Sequence, residues 1–322
     1  MTLALQRRCA ILLLACALAG PAKAQSYPDR PIRMIVPFAA GGTVDIVARI
    51  VGAKLADISG GRVVIDNRGG AGGLIGTEAT ARSPGDGYTL LTHSAAITYD
   101  PTLHDNLPYD TMKDLLPVAM IGSTPNLMVV APAFRARSVT DLLALGRERP
   151  LTFASGGFGS ASHLAVALFS HLSGVKFNHV PYKGAAPALA DVVAGHVDFM
   201  VATMPGAIQP VRSGSLRALG ISSLARSAEL PNLPTIAESG LPGYEYVPWF
   251  GVFAPGTTPP ALVARINDLL RQAVDAPDTR ERLRVQGVTP ELLSPEQFRD
   301  KVKSEIESWA PVIERSGMKG SL

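Results

Sequence analysis

Short apolar runs alternate with longer stretches of helical periodicity along most of the chain. In the first part, the pattern predicts strands at residues 33–36, 62–66 and 88–92, with helices at 43–55 and 75–82 between them. Apolar strands that alternate with helices are typical of βαβ units. We therefore expect a mostly parallel sheet with helices on both faces.

The pattern restarts near residue 125. Ser138 to Asp141 has the composition of a capping box and indicates the start of a helix. The elements predicted after it are strands at 151–154, 177–180, 197–201 and 216–221 and helices at 160–172 and 185–194. This second α/β unit is expected to run to about residue 244.

The last part of the chain is predicted to be helical. Helices are expected at 260–276, 278–286 and 295–316, and Ser294 precedes the last one as an N-cap. We expect these helices to return to the first unit. The apolar segments 127–130 and 247–253 would then be two strand-like crossings that form a hinge. The predicted division is domain 1 at 25–124 plus 250–322 and domain 2 at 125–249, with a ligand cleft between them.

Two glycine-rich segments repeat one design. Residues 36–43 and 154–160 each lead from a predicted buried strand through glycines into a helix whose first turn carries Thr, Ser or Asp. The first backbone N–H groups of a helix have no helical partner, and the helix dipole is positive there. Each segment is therefore a candidate anion site, and two of them facing each other would hold a small carboxylate without a cationic side chain.

The N-terminus is predicted to be a secretory signal at residues 1–24. Arg7 and Arg8 form its charged region, an apolar stretch follows, and Ala22-Lys23-Ala24 is the cleavage site. Residues 13–16 also resemble a lipoprotein cleavage box, which would leave a lipid-anchored Cys16, and the arginine pair admits a twin-arginine export signal. Removal of the leader would take away both cysteines and leave 27 basic against 27 acidic residues. A neutral mature chain gives no support for nucleic-acid or anionic-membrane binding.

Three patterns in the sequence resemble those of enzymes. The glycines at 70–76 are one residue off a dinucleotide fingerprint and fit tight helix–sheet packing better. Ser160, His163 and Asp45 could be drawn as a hydrolase triad, but no Gly-x-Ser-x-Gly elbow is present. The six histidines include no His-x-x-x-His pair. We therefore expect no cofactor, no metal ion and no catalytic activity.

A set of motifs spread over the chain resembles the Bug family of periplasmic solute receptors, the extracytoplasmic component of tripartite tricarboxylate transporters. The matching motifs are Tyr27-Pro28-Asp29-Arg30-Pro31-Ile32, Val36-Pro37-Phe38-Ala39-Ala40-Gly41-Gly42 with Asp45, Asp66-Asn67-Arg68-Gly69-Gly70-Ala71-Gly72-Gly73, Ser83-Pro84-Gly85-Asp86-Gly87-Tyr88-Thr89-Leu90, Gly159-Ser160 with Ser162-His163-Leu164, His179-Val180-Pro181-Tyr182-Lys183-Gly184, Leu216-Arg217-Ala218-Leu219 and Trp249-Phe250-Gly251. The resemblance implies an α/β, two-domain Venus-flytrap fold of the type II kind that closes on a small carboxylate, an amino acid or an aromatic acid. It also implies that backbone amides and ordered waters at the two glycine-rich loops hold the ligand.

The chain departs from the family pattern at three positions. Ala202 and Thr203 stand where relatives often carry Asp and Asn, and Val44 replaces a common Thr. These differences bear on which ligand is bound and leave the class of protein unchanged.

Twelve residues are predicted to line the ligand site. They are Phe38, Ala39, Gly42 and Asp45 in the first loop, Ser94 after the third strand, Ser155, Gly157, Gly159, Ser160 and His163 in the second loop, and Tyr182 and Thr203 at the rim and at a strand end. Asp45 would order a water or accept a ligand amino group, or else only stabilise its own helix. His163 would contact the ligand or lie neutral under the loop.

The function predicted from the sequence is that of a monomeric periplasmic solute-binding protein. It would capture a small carboxylate (a dicarboxylate, an amino acid or an aromatic acid) and deliver it to the permease subunits of a tripartite tricarboxylate transporter. A receptor that feeds a membrane sensor kinase would use the same closed surface. A periplasmic hydrolase is the third alternative.

Overall fold

The computed structural model describes residues 27–316, whose strands form two sheets. The expected leader at 1–24, with Cys16, lies outside the described residues. The strands are β1 (Ile32–Val36), β2 (Val63–Asn67), β3 (Thr89–Ser94), β4 (Leu115–Ser123), β5 (Asn126–Val130), β6 (Leu151–Ser155), β7 (Phe177–Pro181), β8 (Phe199–Thr203), β9 (Arg217–Ile221), β10 (Trp249–Pro255) and β11 (Thr289–Pro290).

The helices follow the predicted order, with additions. They are α1 (Thr43–Ser59), α2 (Leu74–Ala81), α3 (Asp100–Leu103), α4 (Val139–Glu148), α5 (Ala161–Ser173), α6 (Ala185–Val193), α7 (Met204–Arg212), α8 (Pro260–Asp275), α9 (Pro277–Val285) and α10 (Pro295–Ser316), with short 3-10 turns at Ala71–Gly73 and Ala95–Thr98. Ser138 caps α4 as the sequence predicts, because its hydroxyl accepts the N–H of Asp141.

Both sheets are mixed. Sheet 1 has the order β11-β4-β10-β3-β1-β2, with β1 parallel to β2 and β3 but β10 antiparallel to β3 and β4. Sheet 2 has the order β7-β6-β8-β5-β9, with β6 parallel to its neighbours but β5 antiparallel to β8 and β9. The strands of the predicted βαβαβ unit, β1, β2 and β3, are parallel as expected, but sheet 1 as a whole is mixed because β4, β10 and β11 extend it through antiparallel pairs. The chain leaves one sheet along β4 and returns along β10, and these outgoing and returning strands lie side by side.

The chain passes between the sheets twice, and the passages are shorter than predicted. It leaves sheet 1 at Ser123 and enters sheet 2 at Asn126, and it re-enters sheet 1 at Trp249. The N–H of Thr124 donates to the carbonyl of Pro248 at 2.9 Å, so the two passages run side by side. Segment 127–130 is part of β5, and most of segment 247–253 is part of β10. Segment 127–130 is not a crossing, because it pairs within sheet 2, and of segment 247–253 only residues 247 and 248, which precede β10, lie in a passage.

Two buried elements have no clear sequence signal. Strand β4 contains Pro117, which normally argues against a strand. Because β11 pairs only with Gly122 and Ser123, the Pro117 end of β4 has a free edge where the missing N–H is tolerated. Helix α7 contains Gly206 and the internal Pro210 yet forms with its apolar side buried on sheet 2, so packing overrides its low helix propensity.

We call sheet 1 with α1–α3 and α8–α10 the first lobe, and sheet 2 with α4–α7 the second lobe. One hydrophobic cluster extends through both, from Leu91 and Phe253 on sheet 1 to Met128 and Phe199 on sheet 2. Burial of apolar surface on this scale is the main stabilising contribution to such a fold. The crevice between the lobes therefore rests on a continuous core.

Candidate ligand-binding site between the lobes

The first glycine-rich loop joins β1 to α1 and turns sharply before the helix. Gly41 adopts a left-handed φ of 76°, and its N–H donates to Asp45 Oδ2 at 2.9 Å. The N–H of Gly42 donates to the Ala39 carbonyl at 3.2 Å. Gly42 is the N-cap of α1 and has no side chain to satisfy the first helical N–H groups, so these amides remain available at the crevice.

The second glycine-rich loop joins β6 to α5 and is built from its own hydroxyls. Ser160 caps α5 by accepting the N–H of His163, while its hydroxyl donates to the Gly157 carbonyl at 2.6 Å. Ser162 Oγ accepts the N–H of Gly156 at 3.0 Å. The glycines allow the left-handed φ values of 117° at Gly157 and 70° at Gly159 that this turn requires.

The two loops face each other across a cavity of about 50 Å³, which has room for a carboxylate group or a few water molecules. Its lining residues are Phe38, Gly42, Thr43, Val44, Ser94, Gly156, Ser160, Ala161, Ser162, Ala185, Met200, Thr203 and Phe250. The lobes also touch around it: Thr203 Oγ1 donates to Thr43 Oγ1 at 2.5 Å. A Cβ atom on Gly184 would lie only 3.1 Å from that of Ala39.

Four helix N-termini meet at this cavity. Helices α1 and α5 begin at Thr43 and Ala161, α6 begins at Ala185, and α7 begins directly after Thr203. The lining residues carry hydroxyl and apolar side chains and no ionisable one. The positive potential of the cavity therefore comes from backbone dipoles, each equivalent to about half a unit charge.

Five of the twelve predicted residues line the cavity and seven do not. The lining ones are Phe38, Gly42, Ser94, Ser160 and Thr203. The other seven lie next to it. Ala39 contacts Gly184, and Gly157 and Gly159 shape the second loop, behind which Ser155 is fully buried. Tyr182 donates its hydroxyl to Asp191, and Asp45 and His163 are described below.

Sequence analysis missed several lining residues that only the fold brings near. Met200 and Phe250 are the second residues of β8 and β10, and although Phe250 belongs to the Trp249-Phe250-Gly251 motif, neither was predicted to line the site. Ala185 had a usable signal, because Gly184 stands between a predicted strand and a predicted helix. That is the same strand–glycine–helix arrangement as in the two glycine-rich loops.

Asp45 supports the first loop from outside the lining. Its side chain is almost fully buried and accepts hydrogen bonds from Arg49 Nε at 2.9 Å, the Gly41 N–H at 2.9 Å and Asn67 Nδ2 at 3.0 Å. Burial alone would raise the pKa of this carboxyl, but the three hydrogen bonds together lower it below its usual value. Asp45 is therefore ionised and committed to its neighbours.

Asp45→Ala is expected to loosen the first loop, since it leaves the Gly41 N–H and the Asn67 amide without their acceptor. We expect a loss of about 2 kcal/mol in the free energy of unfolding and a fall in ligand affinity of about tenfold. Chemical denaturation and calorimetric titration measure the two effects. Arg49→Ala removes only the half-exposed partner and should cost under about 1 kcal/mol. Equal effects of the two substitutions would contradict the supporting role of Asp45.

His163 lies under the second loop. Its ring stacks on that of His179 with centroids 4.1 Å apart, and its Nδ1 accepts the N–H of Gly159 at 3.2 Å. Burial lowers the pKa of His163 to about 3, and the neighbouring His179 lowers it further in the same direction. The ring is neutral at physiological pH, and it acts as a support for the loop.

The side chains do not form the drawn hydrolase triad. Ser160 Oγ contacts the backbone N–H of His163, whose ring Nδ1 is occupied by Gly159. A different pair, Ser155 Oγ and His179 Nε2, lies 2.6 Å apart, but Ser155 is fully buried and outside the cavity lining. Within residues 27–316, no group of three or more His, Cys, Asp or Glu is placed to hold a metal ion, and no helix is long and apolar enough to span a bilayer.

Two α/β lobes joined by paired crossings, with a positively polarised cavity between them, define a two-lobed solute-binding protein. Residues 47–318 match the model of the tripartite tricarboxylate transporter family receptor. The chain belongs to this family and is a periplasmic solute-binding receptor of the Bug type. The motif-based resemblance is thus confirmed, and family and fold alike point to a binding protein rather than an enzyme.

Several relatives are similar over nearly their whole length. Protein BugT of Bordetella pertussis is 40% identical over 313 residues, which cover 96% of each chain. The structure of the periplasmic binding protein BugD is 34% identical, covers 91% of this chain and 99% of its own, and superposes with a TM-score of 0.87. The Rhodopseudomonas palustris protein Rpa4515, solved with adipate, is 36% identical, with coverage of 90% and 98% and a TM-score of 0.87.

Proposed function

We propose that this protein captures a small carboxylate in the cavity between its lobes and delivers it to the membrane permease subunits of a tripartite tricarboxylate transporter. The observation that carries this proposal is the meeting of four helix N-termini at a cavity whose lining has no cationic side chain. Such an arrangement favours an anion. The relative Rpa4515 was solved with a dicarboxylate, adipate, which supports the same ligand class.

The expected binding strength is sufficient for a receptor. A hydrogen bond to a charged group contributes roughly 1.5–3 kcal/mol, and a favourable helix terminus about 0.3–1 kcal/mol. Several such contacts, less the cost of ordering the ligand and closing the lobes, can reach the ~8 kcal/mol of micromolar affinity.

The domain division proposed from the sequence underlies the capture mechanism. We place domain 1 at 25–124 plus 250–322 and domain 2 at 125–249, with the hinge at the paired passages near Thr124 and Pro248. The strand content of the two sheets and the hydrogen bond between the passages support this division. Opening at this hinge would separate Thr43 from Thr203 and admit the ligand.

A thermal-shift screen followed by calorimetric titration tests ligand capture. Succinate, glutarate, adipate and benzoate are expected to include at least one stabilising ligand, and a ligand at 100 times its Kd adds ~2.7 kcal/mol to the stability. The corresponding diamides serve as controls, because they keep the shape and lose the charge. Stabilisation by the diamides equal to that by the acids would contradict an anion site, as would no response to any acid.

Delivery has a separate test. The permease subunits in proteoliposomes are expected to take up a radiolabelled acid only when the receptor is added. The receptor variant Gly42→Val, whose effect on binding is derived in the Discussion, is the matched control. Uptake that does not depend on the receptor would contradict a transport role and leave the sensor-kinase alternative.

A further inference from the structure

A second cavity, which we call the hinge cavity, lies beside the chain's return passage between the lobes, where Val247 and Pro248 line it. It has a volume of about 250 Å³, is open to solvent, and shares no lining residue with the inter-lobe cavity. Neighbouring residues of a strand face opposite sides of its sheet. Trp249 accordingly lines the hinge cavity, whereas Phe250 lines the inter-lobe cavity. The two cavities are separate sites.

Four aromatic side chains form much of the wall of the hinge cavity: Tyr99, Tyr246, Trp249 and Trp309. The ring of Trp309 stands at 68° to that of Tyr99 and at 79° to that of Tyr246, with centroids 5.2 and 5.6 Å apart. Trp309 is partly exposed, and the other three are almost fully buried. Because these rings meet edge to face instead of stacking, they bound the cavity from different directions. Such an arrangement is typical of sites for organic cations, which the negative ring faces attract.

The charged groups at the hinge cavity add to this attraction. Glu245 and Glu305 are part of its lining, and no Lys, Arg or His among the described residues is. Lys301 Nζ contacts Glu305 at 2.8 Å, whereas Glu245 has no salt-bridge partner within residues 27–316. Two carboxylates against one ammonium leave an excess of negative charge. Burial raises the pKa of Tyr99 and of Tyr246, and the charge of Glu305 acts in the same direction, so both hydroxyls stay neutral.

The hydrogen-bond acceptors of the lining are already used, which favours a cation without N–H groups. Glu305 Oε2 accepts the indole N–H of Trp249 at 2.7 Å, and its Oε1 accepts Lys301 Nζ at 2.8 Å. The hydroxyls of Tyr99 and Tyr246 lie 2.9 Å apart and bond to each other. A primary ammonium has three donors that need acceptors once it leaves water. A quaternary ammonium has none and is held by charge and by ring faces.

We propose that the hinge cavity is a second ligand site, which binds a small organic cation with a methylated, quaternary ammonium group. The cation lies against the aromatic wall, with Glu245 and Glu305 as its counter-charges. Trp309 on α10 belongs to the first lobe, whereas Tyr246 is tied to the second through Ser222, whose hydroxyl donates to the Tyr246 carbonyl at 2.5 Å. Both lobes therefore contribute to this site, as they do to the inter-lobe cavity.

Tryptophan fluorescence tests the site directly, because Trp249 and Trp309 are the two tryptophans of the chain and both line the hinge cavity. The protein is titrated at constant ionic strength with choline chloride and with 3,3-dimethylbutan-1-ol, which has the same shape without the charge. Choline is expected to change the emission saturably and to bind at least tenfold more tightly than the alcohol. Equal affinity for the two would overturn recognition of a cation. No saturable change with choline would overturn the site itself.

Two substitutions of Trp309 test the aromatic wall. Trp309→Leu removes the ring and keeps an apolar side chain, whereas Trp309→Phe keeps a smaller ring. Melting temperatures of both variants are compared first, and calorimetric titration then measures binding to folded protein. Choline affinity is expected to fall at least tenfold in Trp309→Leu and less in Trp309→Phe, because only the second retains a ring face for the cation. Equal choline affinity in the two variants would contradict binding against the aromatic wall.

Glu305→Gln and Glu307→Gln test the counter-charge. Both remove one negative charge from α10, but Glu307 is exposed and lies outside the lining. The glutamine amide at position 305 keeps an oxygen acceptor for the indole of Trp249. Glu305→Gln is expected to weaken choline about fivefold, and Glu307→Gln less than about twofold, because solvent screens its charge. Equal effects would overturn the role of Glu305. If Glu305→Gln does not fold, the choline and alcohol titrations of the unaltered protein decide alone.

Discussion

Gly42→Val is expected to abolish carboxylate binding while the protein remains folded. Gly42 has φ −76° and ψ 169°, an extended conformation that valine adopts without strain. A Cβ atom there would lie 3.1 Å from the Ala39 carbonyl and 4.0 Å from the Ala185 amide nitrogen. The valine methyl groups would therefore stand between the N-termini of α1 and α6 and fill the small cavity.

The expected loss of affinity exceeds a hundredfold, because at least two charge-assisted hydrogen bonds of roughly 1.5–3 kcal/mol each become inaccessible. Calorimetric titration measures this loss, and circular dichroism with thermal melting checks the fold. Gly42→Ala is the graded control, since a single methyl group obstructs the amides less. Unchanged affinity in Gly42→Val would show that the ligand lies elsewhere.

Asp100→Asn is expected to change how stability depends on pH. Asp100 begins α3, is 4% exposed, and accepts the hydroxyl of Tyr109 at 2.7 Å. Burial raises the pKa of this carboxyl from 3.8 to about 7, against the smaller lowering effect of the Tyr109 hydrogen bond. The folded protein therefore holds a proton that the unfolded chain has already lost between about pH 4 and pH 7.

Because the folded state binds more protons in this window, the free energy of unfolding falls as the pH rises from about 4 to about 7 and then levels off. The upper bound of this loss is about 4 kcal/mol, at about 1.4 kcal/mol for each pKa unit. Asp100→Asn cannot ionise, so its stability is expected to lack this decline and to exceed that of the unaltered protein at pH 8.

Urea denaturation at pH 5, 6, 7 and 8 measures the difference between the two proteins. Tyr109→Phe is a second probe: it removes the hydrogen bond that favours the ionised form, so its decline should extend to higher pH. Parallel stability curves for the unaltered protein and Asp100→Asn would contradict a protonated Asp100 in the folded state.

The helix starts were predictable because they depend on near neighbours in the sequence. Ser138 and Ser160 cap α4 and α5, as expected for hydroxyls in those positions. Ser294 likewise accepts the N–H of Gln297 at the start of α10. Local hydrogen bonds of this kind form wherever the chain turns into a helix, whatever the rest of the protein does.

The predictions that failed concern contacts between distant segments. The crossings were placed at 127–130 and 247–253, but strand pairing assigns 127–130 to β5 and 249–253 to β10, so only residues 247 and 248 lie in a passage. Helix α7 has a composition that disfavours a helix and forms because its apolar side packs on sheet 2. Propensity is a weak guide where burial contributes more.

At the candidate site too, local features could be predicted from the sequence, whereas contacts between distant residues could not. The sequence pointed to both glycine-rich loops, yet it left open whether Asp45 and His163 contact a ligand. The carboxylate of Asp45 accepts hydrogen bonds from Gly41 in the loop, from Arg49 on its own helix and from Asn67 on β2. His163 is buried against His179, which lies on another element. No pattern along the chain specifies these encounters.

By itself, the sequence determined the family, the alternation of strands and helices, and the two glycine turns that open α1 and α5. Those features follow from backbone conformation, capping and hydrophobic periodicity, which act over a few residues. Only the tertiary structure decided that α6 and α7 also begin at the cavity, that its wall has no charged side chain, and that burial raises the pKa of Asp100 to about 7. These depend on packing and desolvation, which are set by residues far apart in the chain and brought together by the two sheets.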